Sequence, residues 1–163
     1  MPDTQIVVRP PAAIEPWREP GWQRLWLALQ RRPWRSLALV PAAQGARPNF
    51  ALSVGVTLSR TGMLHLGVPI QVADGARVPL ASLASFAEEI RRITEGGDRI
   101  ILALAPPSEN PVTTALAHSA DAGLLCILME QMASSEAKRT VEQIGADKFL
   151  GSAIFRADGT IGA

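Results

Sequence analysis

Residues 41–49, the loop PAAQGARPN, are where phosphate chemistry would have to sit in this chain. They follow the apolar run RSLALV and precede an amphipathic segment, so they join a buried strand to a helix start. A loop that grips phosphate wraps several backbone N–H groups around the oxygens, adds a Lys charge and offers a Ser or Thr hydroxyl to Mg²⁺. Here a single glycine, Gly45, is present to bring the backbone close. Arg47 stands in the place of the lysine. Pro48 stands in the place of the hydroxyl and also removes an N–H donor. Asn49 offers no more than an amide oxygen. Gly45, Arg47, Pro48 and Asn49 therefore read as a vestigial loop, and no cofactor is expected.

Other reactive side chains give little. His65 and His118 have no acidic or Cys partner at ligand spacing, so no metal is expected. Cys126 lies within an apolar run and reads as a buried, inert thiol. Glu109 and Asp121 flank helix ends and read as caps or solvated carboxylates. Ser108, His118 and Asp121 make a triad on paper, but no nucleophile-elbow pattern supports it and no catalytic residue is assigned. The mixture of Arg and Trp in residues 17–35 is the remaining candidate. Trp22 and Trp26 lie four apart and share a helical face. That face either docks on the domain or meets a partner, nucleic acid or lipid. Trp22, Arg24 and Trp26 are taken as the partner-binding candidates, because aromatic residues and Arg dominate interface energetics.

The elements that must position these residues alternate regularly. GWQRLWLALQRR places Trp22, Leu25, Trp26 and Leu29 at i, i+3, i+4 and i+7, which predicts an amphipathic helix ended by Pro33. A helix is expected from Pro48, with Phe50, Val54 and Leu58 on one face and Gly62 as its stop. Residues 63–79 are expected to hold one or two short strands and turns. LASLASFAEEIRRITEGG predicts a helix with a Gly-Gly stop. NPVTTALAHSADAG predicts another, with Asn110 as its cap and Pro111 at its first position. SSEAKRTVEQIGA predicts a third. Between them stand four buried segments, 36–40, 100–104, 123–129 and 149–155. Uninterrupted apolar strands alternating with amphipathic helices imply an α/β domain, with a mostly parallel sheet covered by helices on both faces. Ligands in such sheets sit at the carboxyl ends of the strands.

Composition narrows the function classes. The 163 residues suffice for one domain with a sizeable core. With 47% hydrophobic and 19% charged residues, the chain is not disordered throughout. No apolar run reaches the roughly 18 residues of a membrane span. No secretion-signal pattern is expected at the N-terminus, and one Cys excludes an intrachain disulfide. A cytoplasmic protein is expected. The net charge of +1 hides an asymmetry: residues 1–60 carry eight Arg against three acidic residues, and the remainder carries eight basic against twelve acidic. Residues 1–18, with four prolines, are expected to form a mobile arm, 19–156 one domain, and 157–163 a tail.

From ARPNFALSVGVTLSRTG onward the order of segments resembles the MinD/ParA-like, deviant Walker type of P-loop ATPase. It resembles more closely the bacterial tyrosine autokinases of capsule and exopolysaccharide synthesis. The similarity runs through LASLASFAEEIRRITEGGDRIILALAPP, LAHSADAGLLCILM, SSEAKRTVEQI and FLGSAIF. It covers about residues 19–156 and is best from residue 80. What the resemblance implies, position by position, is loss. The Walker A lysine and serine correspond to Arg47 and Pro48. The Walker B aspartate corresponds to Leu104, although Pro106 and Pro107 persist. The Asn that helps hold adenine corresponds to Phe155. The second carboxylate motif corresponds to ADGARVP, with Arg77 and Pro79 kept and Ala73 and Gly75 at the carboxylates. In another register that motif is simply deleted, and Asp74 is off by one in the first. The ring-forming Glu-x-x-Arg-x-x-Arg motif is degraded around Glu19, Arg24 and Leu25.

With no Tyr in the sequence, tyrosine autophosphorylation is excluded. The resemblance therefore implies a kinase-like protein without catalysis. Such a protein would act by binding a transmembrane polysaccharide co-polymerase or a synthase, reaching the membrane only through that partner. Self-association is admitted and nucleic acid is not expected. The alternatives are a residual ATPase completed by a partner, or a RecA-like regulatory module such as a cell-division inhibitor.

Overall fold

A computed structural model of the chain describes residues 15–42, 49–129, 134–156 and 158–162. Five strands form one sheet: β1 (Ser36–Pro41), β2 (Gln71–Asp74), β3 (Ile100–Ala103), β4 (Ala122–Leu128) and β5 (Phe149–Phe155). Their order is β2-β3-β1-β4-β5 and every pairing is parallel. The four expected buried segments are therefore parallel neighbours. The helices are α1 (Pro20–Ala28), α2 (Phe50–Leu66), α3 (Leu83–Glu95), α4 (Val112–Ser119) and α5 (Ser134–Ile144).

The strands read as continuous apolar runs because successive side chains enter two different cores. On β1, Leu37 and Leu39 point to one face and Ala38 and Val40 to the other. The first face packs with Trp22, Trp26, Leu58 and Phe155, beneath α1 and α2. The second packs with Ile90, Leu116 and Ile144, beneath α3, α4 and α5.

The α2 helix departs from expectation. It runs through Gly62 to Leu66 and is capped by Gly67, whose φ of 72° suits only an αL position and whose N–H donates to Met63 O. Gly62 is a place of close approach instead. A β-carbon there would stand 2.4 Å from Ile70 Cδ1 and 2.6 Å from Trp26 Cη2. Trp26 fills that notch, and its Nε1 donates to His65 Nδ1 at 3.1 Å. Residues 63–79 supply one strand, β2, with Val72 against the small Gly55.

The amino ends of the strands are tied by polar contacts. Asp121 Oδ2 accepts from the N–H groups of Arg35 and Ser36 at 2.8 and 3.1 Å, and Asp121 N–H donates to Ser36 Oγ at 2.9 Å. The edge strand β5 is covered at both of its ends. Arg31 donates to Leu150 O, and Gly162 N–H donates to Ile154 O at 2.6 Å. Residues expected as arm and tail thus belong partly to the domain: Pro16–Arg18 form a 3₁₀ turn beside α2, and Ile161 bridges antiparallel to Phe155.

Candidate functional site

The carboxyl ends of β1, β2 and β3 converge on a cleft of about 250 Å³ beside the start of α2. Of the vestigial-loop residues, Gly45, Arg47 and Pro48 lie outside the described residues. Asn49 is described: it is the residue before α2, exposed, in the left-handed region at φ 65°, and its side chain caps nothing. Asn tolerates that conformation better than most residues. Its carbonyl accepts from Ser53 N–H at 2.9 Å and starts the helix.

The cleft holds Asp74, Arg77 and Glu109 around an apolar floor at Leu104. Asp74 ends β2, and its Oδ1 accepts from Ala76 N–H at 3.1 Å. The ADGARVP stretch is therefore present as the edge strand and the turn after it, with Asp74 on the cleft and Ala73 and Gly75 supplying no carboxylate. Arg77 is held in place by its neighbours. Asn110 Nδ2 donates to Ala76 O and Val78 O at 3.2 and 3.1 Å, while its Oδ1 accepts from Val112 N–H at 3.1 Å. Asn110 thus takes up the first N–H of α4, one residue ahead of the Pro111 that caps it, and also straps the turn that carries Arg77.

Leu104 is 1% exposed, and its Cδ2 would stand 2.8 Å from any β-carbon on residue 75. Leu104, which the resemblance sets at the Walker B aspartate, is thus packed against Gly75, one of the two residues set at the second carboxylate motif in one of its registers. Phe155, which the resemblance sets at the adenine-holding Asn, is likewise 1% exposed. It meets Trp22 at a ring distance of 5.5 Å and Phe50 at 5.6 Å. This cluster walls a second cleft of about 350 Å³, whose rim carries Glu19, Arg156 and Asp158. Hydrogen bonds from Thr160 hold the Asp158 carboxyl below the usual range.

The remaining candidates are scattered. Trp22 and Trp26 are 3% and 1% exposed, so the reading of their shared face as a partner surface is corrected. That face is core, and Arg24 alone of the three is exposed. Two tryptophans of residues 17–35 meet arginines from elsewhere in the chain. The Arg60 guanidinium lies 4.5 Å from the Trp17 ring, and that of Arg99 lies 4.9 Å from the Trp34 ring. Trp34 is buried and donates to Leu29 O at 3.0 Å. Cys126 is buried, and burial pushes its thiol pKa up. Ser108 follows β3 at the carboxyl end of the sheet and Asp121 precedes β4 at the amino end, so no triad forms. Among the described residues there is no cluster of metal-ligating side chains, and no helix is long and apolar enough to cross a membrane.

This architecture, a five-stranded parallel sheet with helices on both faces, is the P-loop type of α/β fold. The chimerical protein CapA2B2 shares it, with a TM-score of 0.60 at 12% identity over 83% of this chain and 82% of that one. So does the BceF tyrosine kinase domain, with a TM-score of 0.56 at 11% identity over 83% of this chain and 72% of that domain. At such identity the likeness is one of fold. No protein-family model matches the sequence, and no curated protein does.

Proposed function

We propose that this chain is a kinase-fold protein without catalysis, acting by protein binding in exopolysaccharide biosynthesis or export. The observation that carries the reading is the packing of Leu104 against Gly75 in the cleft. The resemblance puts the Mg²⁺-organising Walker B aspartate at Leu104, where a buried leucine side chain offers neither charge nor a ligand atom, and the carboxylates the cleft keeps, Asp74 and Glu109, stand at other positions. The likeness of fold to a tyrosine kinase domain, and the absence of Tyr from the chain, support the same reading. The partner it fits is the cytoplasmic part of a transmembrane polysaccharide co-polymerase, or a synthase.

Calorimetric titration with ATP and Mg²⁺ tests the catalytic half. No specific site tighter than about millimolar is expected, a loss of about 4 kcal/mol against micromolar binding. A micromolar, Mg²⁺-dependent site would overturn it. Co-purification with the polysaccharide machinery of the same cell tests the other half, and a protein that leaves that machinery untouched would remove the pathway from the reading.

A further inference from the structure

We propose that His65 is a proton-operated latch that holds α1 on α2. Trp26 is the residue by which α1 enters the core, and it is 1% exposed. Its indole N–H donates to His65 Nδ1 at 3.1 Å, with the two rings edge-on, 6.5 Å between centroids and 71° between planes. The bond requires an imidazole with a bare Nδ1, and hence a neutral ring with its proton on Nε2. His65 is exposed in the last turn of α2, so solvent protons reach it. A second proton on Nδ1 turns the acceptor into a donor. Two N–H groups then face each other, and the buried indole is left without a partner.

The charged groups around His65 are few: Asp98 and Arg99 share a cleft with Leu66, where Asp98 accepts from Gln71 Nε2 at 3.4 Å and Arg99 donates to Gln30 Oε1 at 3.1 Å and lies over Trp34. The α1 helix carries Arg24 and α2 carries Arg60, both cations; β1 and β3 carry no charge. The 3₁₀ turn against α2 carries Arg18, which pairs with Glu15. The carboxylate of β2, Asp74, lies with Asn49 and Phe50 at the opposite end of α2. Among the described residues no ion pair involves His65. Gly62 makes the arrangement exacting, because Trp26 sits in a notch with no room for a side chain. Acidification therefore loosens α1 and brings Trp22 and Trp26, internal at neutral pH, toward solvent.

Indole hydrogen exchange, followed by NMR on the full chain, tests this. Asn is the informative replacement, since its Oδ1 stands as far along the side chain as Nδ1 of histidine and takes no proton. Between pH 7.5 and 5.5, protection of the Trp26 indole, corrected for intrinsic exchange, is expected to fall by about tenfold or more in the native chain. It should hold steady in His65→Asn and fall as in the native chain in His118→Asn, which controls for the second of the two histidines. Loss of protection in His65→Asn equal to the native loss would overturn the proposal, as would steady protection in the native chain. If His65→Asn fails to fold, ¹⁵N shifts of the native imidazole decide. The Nε2–H tautomer is required at neutral pH, and an Nδ1–H tautomer refutes the latch.

Discussion

Gly75 and Leu104 fit only as a pair: any β-carbon on residue 75 would lie 2.8 Å from Leu104 Cδ2, well inside contact distance. They come from adjacent strand ends, one just after β2 and one just after β3, with Gly75 N–H donating to Ala103 O at 2.7 Å. Gly75→Ala should therefore overpack the cleft floor and cost about 1–3 kcal/mol. Leu104→Ala should cost about 2–5 kcal/mol by opening a cavity. Combined, the two should cost less than their sum, because the second removes the atom that the first strikes. Urea denaturation of both variants and the double variant reads this coupling, and strict additivity would refute the contact.

Trp26→Glu puts a carboxylate into the notch at Gly62 with no cation bonded there. Burying an unpaired charge is among the few substitutions that cost more than about 4 kcal/mol. Against the 5–15 kcal/mol of an ordinary domain, the variant should show a large fall in melting temperature or no cooperative transition. A variant that melts with the native protein would place Trp26 on the surface.

Gly62→Ala is a gentler probe of the same notch. In an open helix the change would gain about 1 kcal/mol of propensity. Here the added methyl meets Ile70 Cδ1 and the rigid indole of Trp26, so the net effect on chemical denaturation should be a loss.

Cys126 should be inert to thiol reagents in the folded protein and react only as fast as the domain opens. Burial raises the folded thiol pKa above its unfolded value, so its contribution to stability is fully present below the unfolded pKa. Above about pH 8.5 the unfolded chain releases the proton and the folded chain keeps it. Stability should then fall by up to about 1.4 kcal/mol per pH unit. Cys126→Ser removes this alkaline slope, which denaturation curves at pH 8 and 10 would show.

Asn110→Ala removes the bonds to Ala76 O, Val78 O and Val112 N–H together. A loss of about 1–3 kcal/mol is expected, with faster backbone exchange in residues 76–78 than in β3. Uniform loss of protection across the domain would deny Asn110 its local role.

The sheet was legible in the sequence because burial on both faces forces unbroken apolar runs, and those at Ser36, Ile100 and Ala122 stand out, while the edge strand at Phe149 keeps a shorter apolar signature around exposed Gly151 and Ser152. The β2 strand was harder to see, since an edge strand of four residues with only partial burial has no such run. Gly62 reads locally as a helix stop; its true role depends on Trp26, which comes from another helix. The spacing of Trp22 and Trp26 gave their common face but not what covers it, and the notch in α2 is the signal that would have told. The cleft was visible as a set of replaced residues. The fit of Leu104 to Gly75 was not, because it joins positions 29 apart across two strands.

The occupied ends of β5 bear on how this molecule can be recognised. A strand from another chain can lengthen a sheet only where the border strand still has backbone groups to share. On one border Leu150 and Ile154 already accept from Arg31 and Gly162. On the other, β2 offers a rung of four residues, and Ser59 Oγ holds the Ile70 carbonyl just ahead of it at 2.6 Å. Zippering of another chain's backbone onto the sheet is thereby discouraged on both sides. Any protein binding proposed for the chain would then fall to side chains of the helices and loops, whose identities can be exchanged one at a time without disturbing the scaffold beneath.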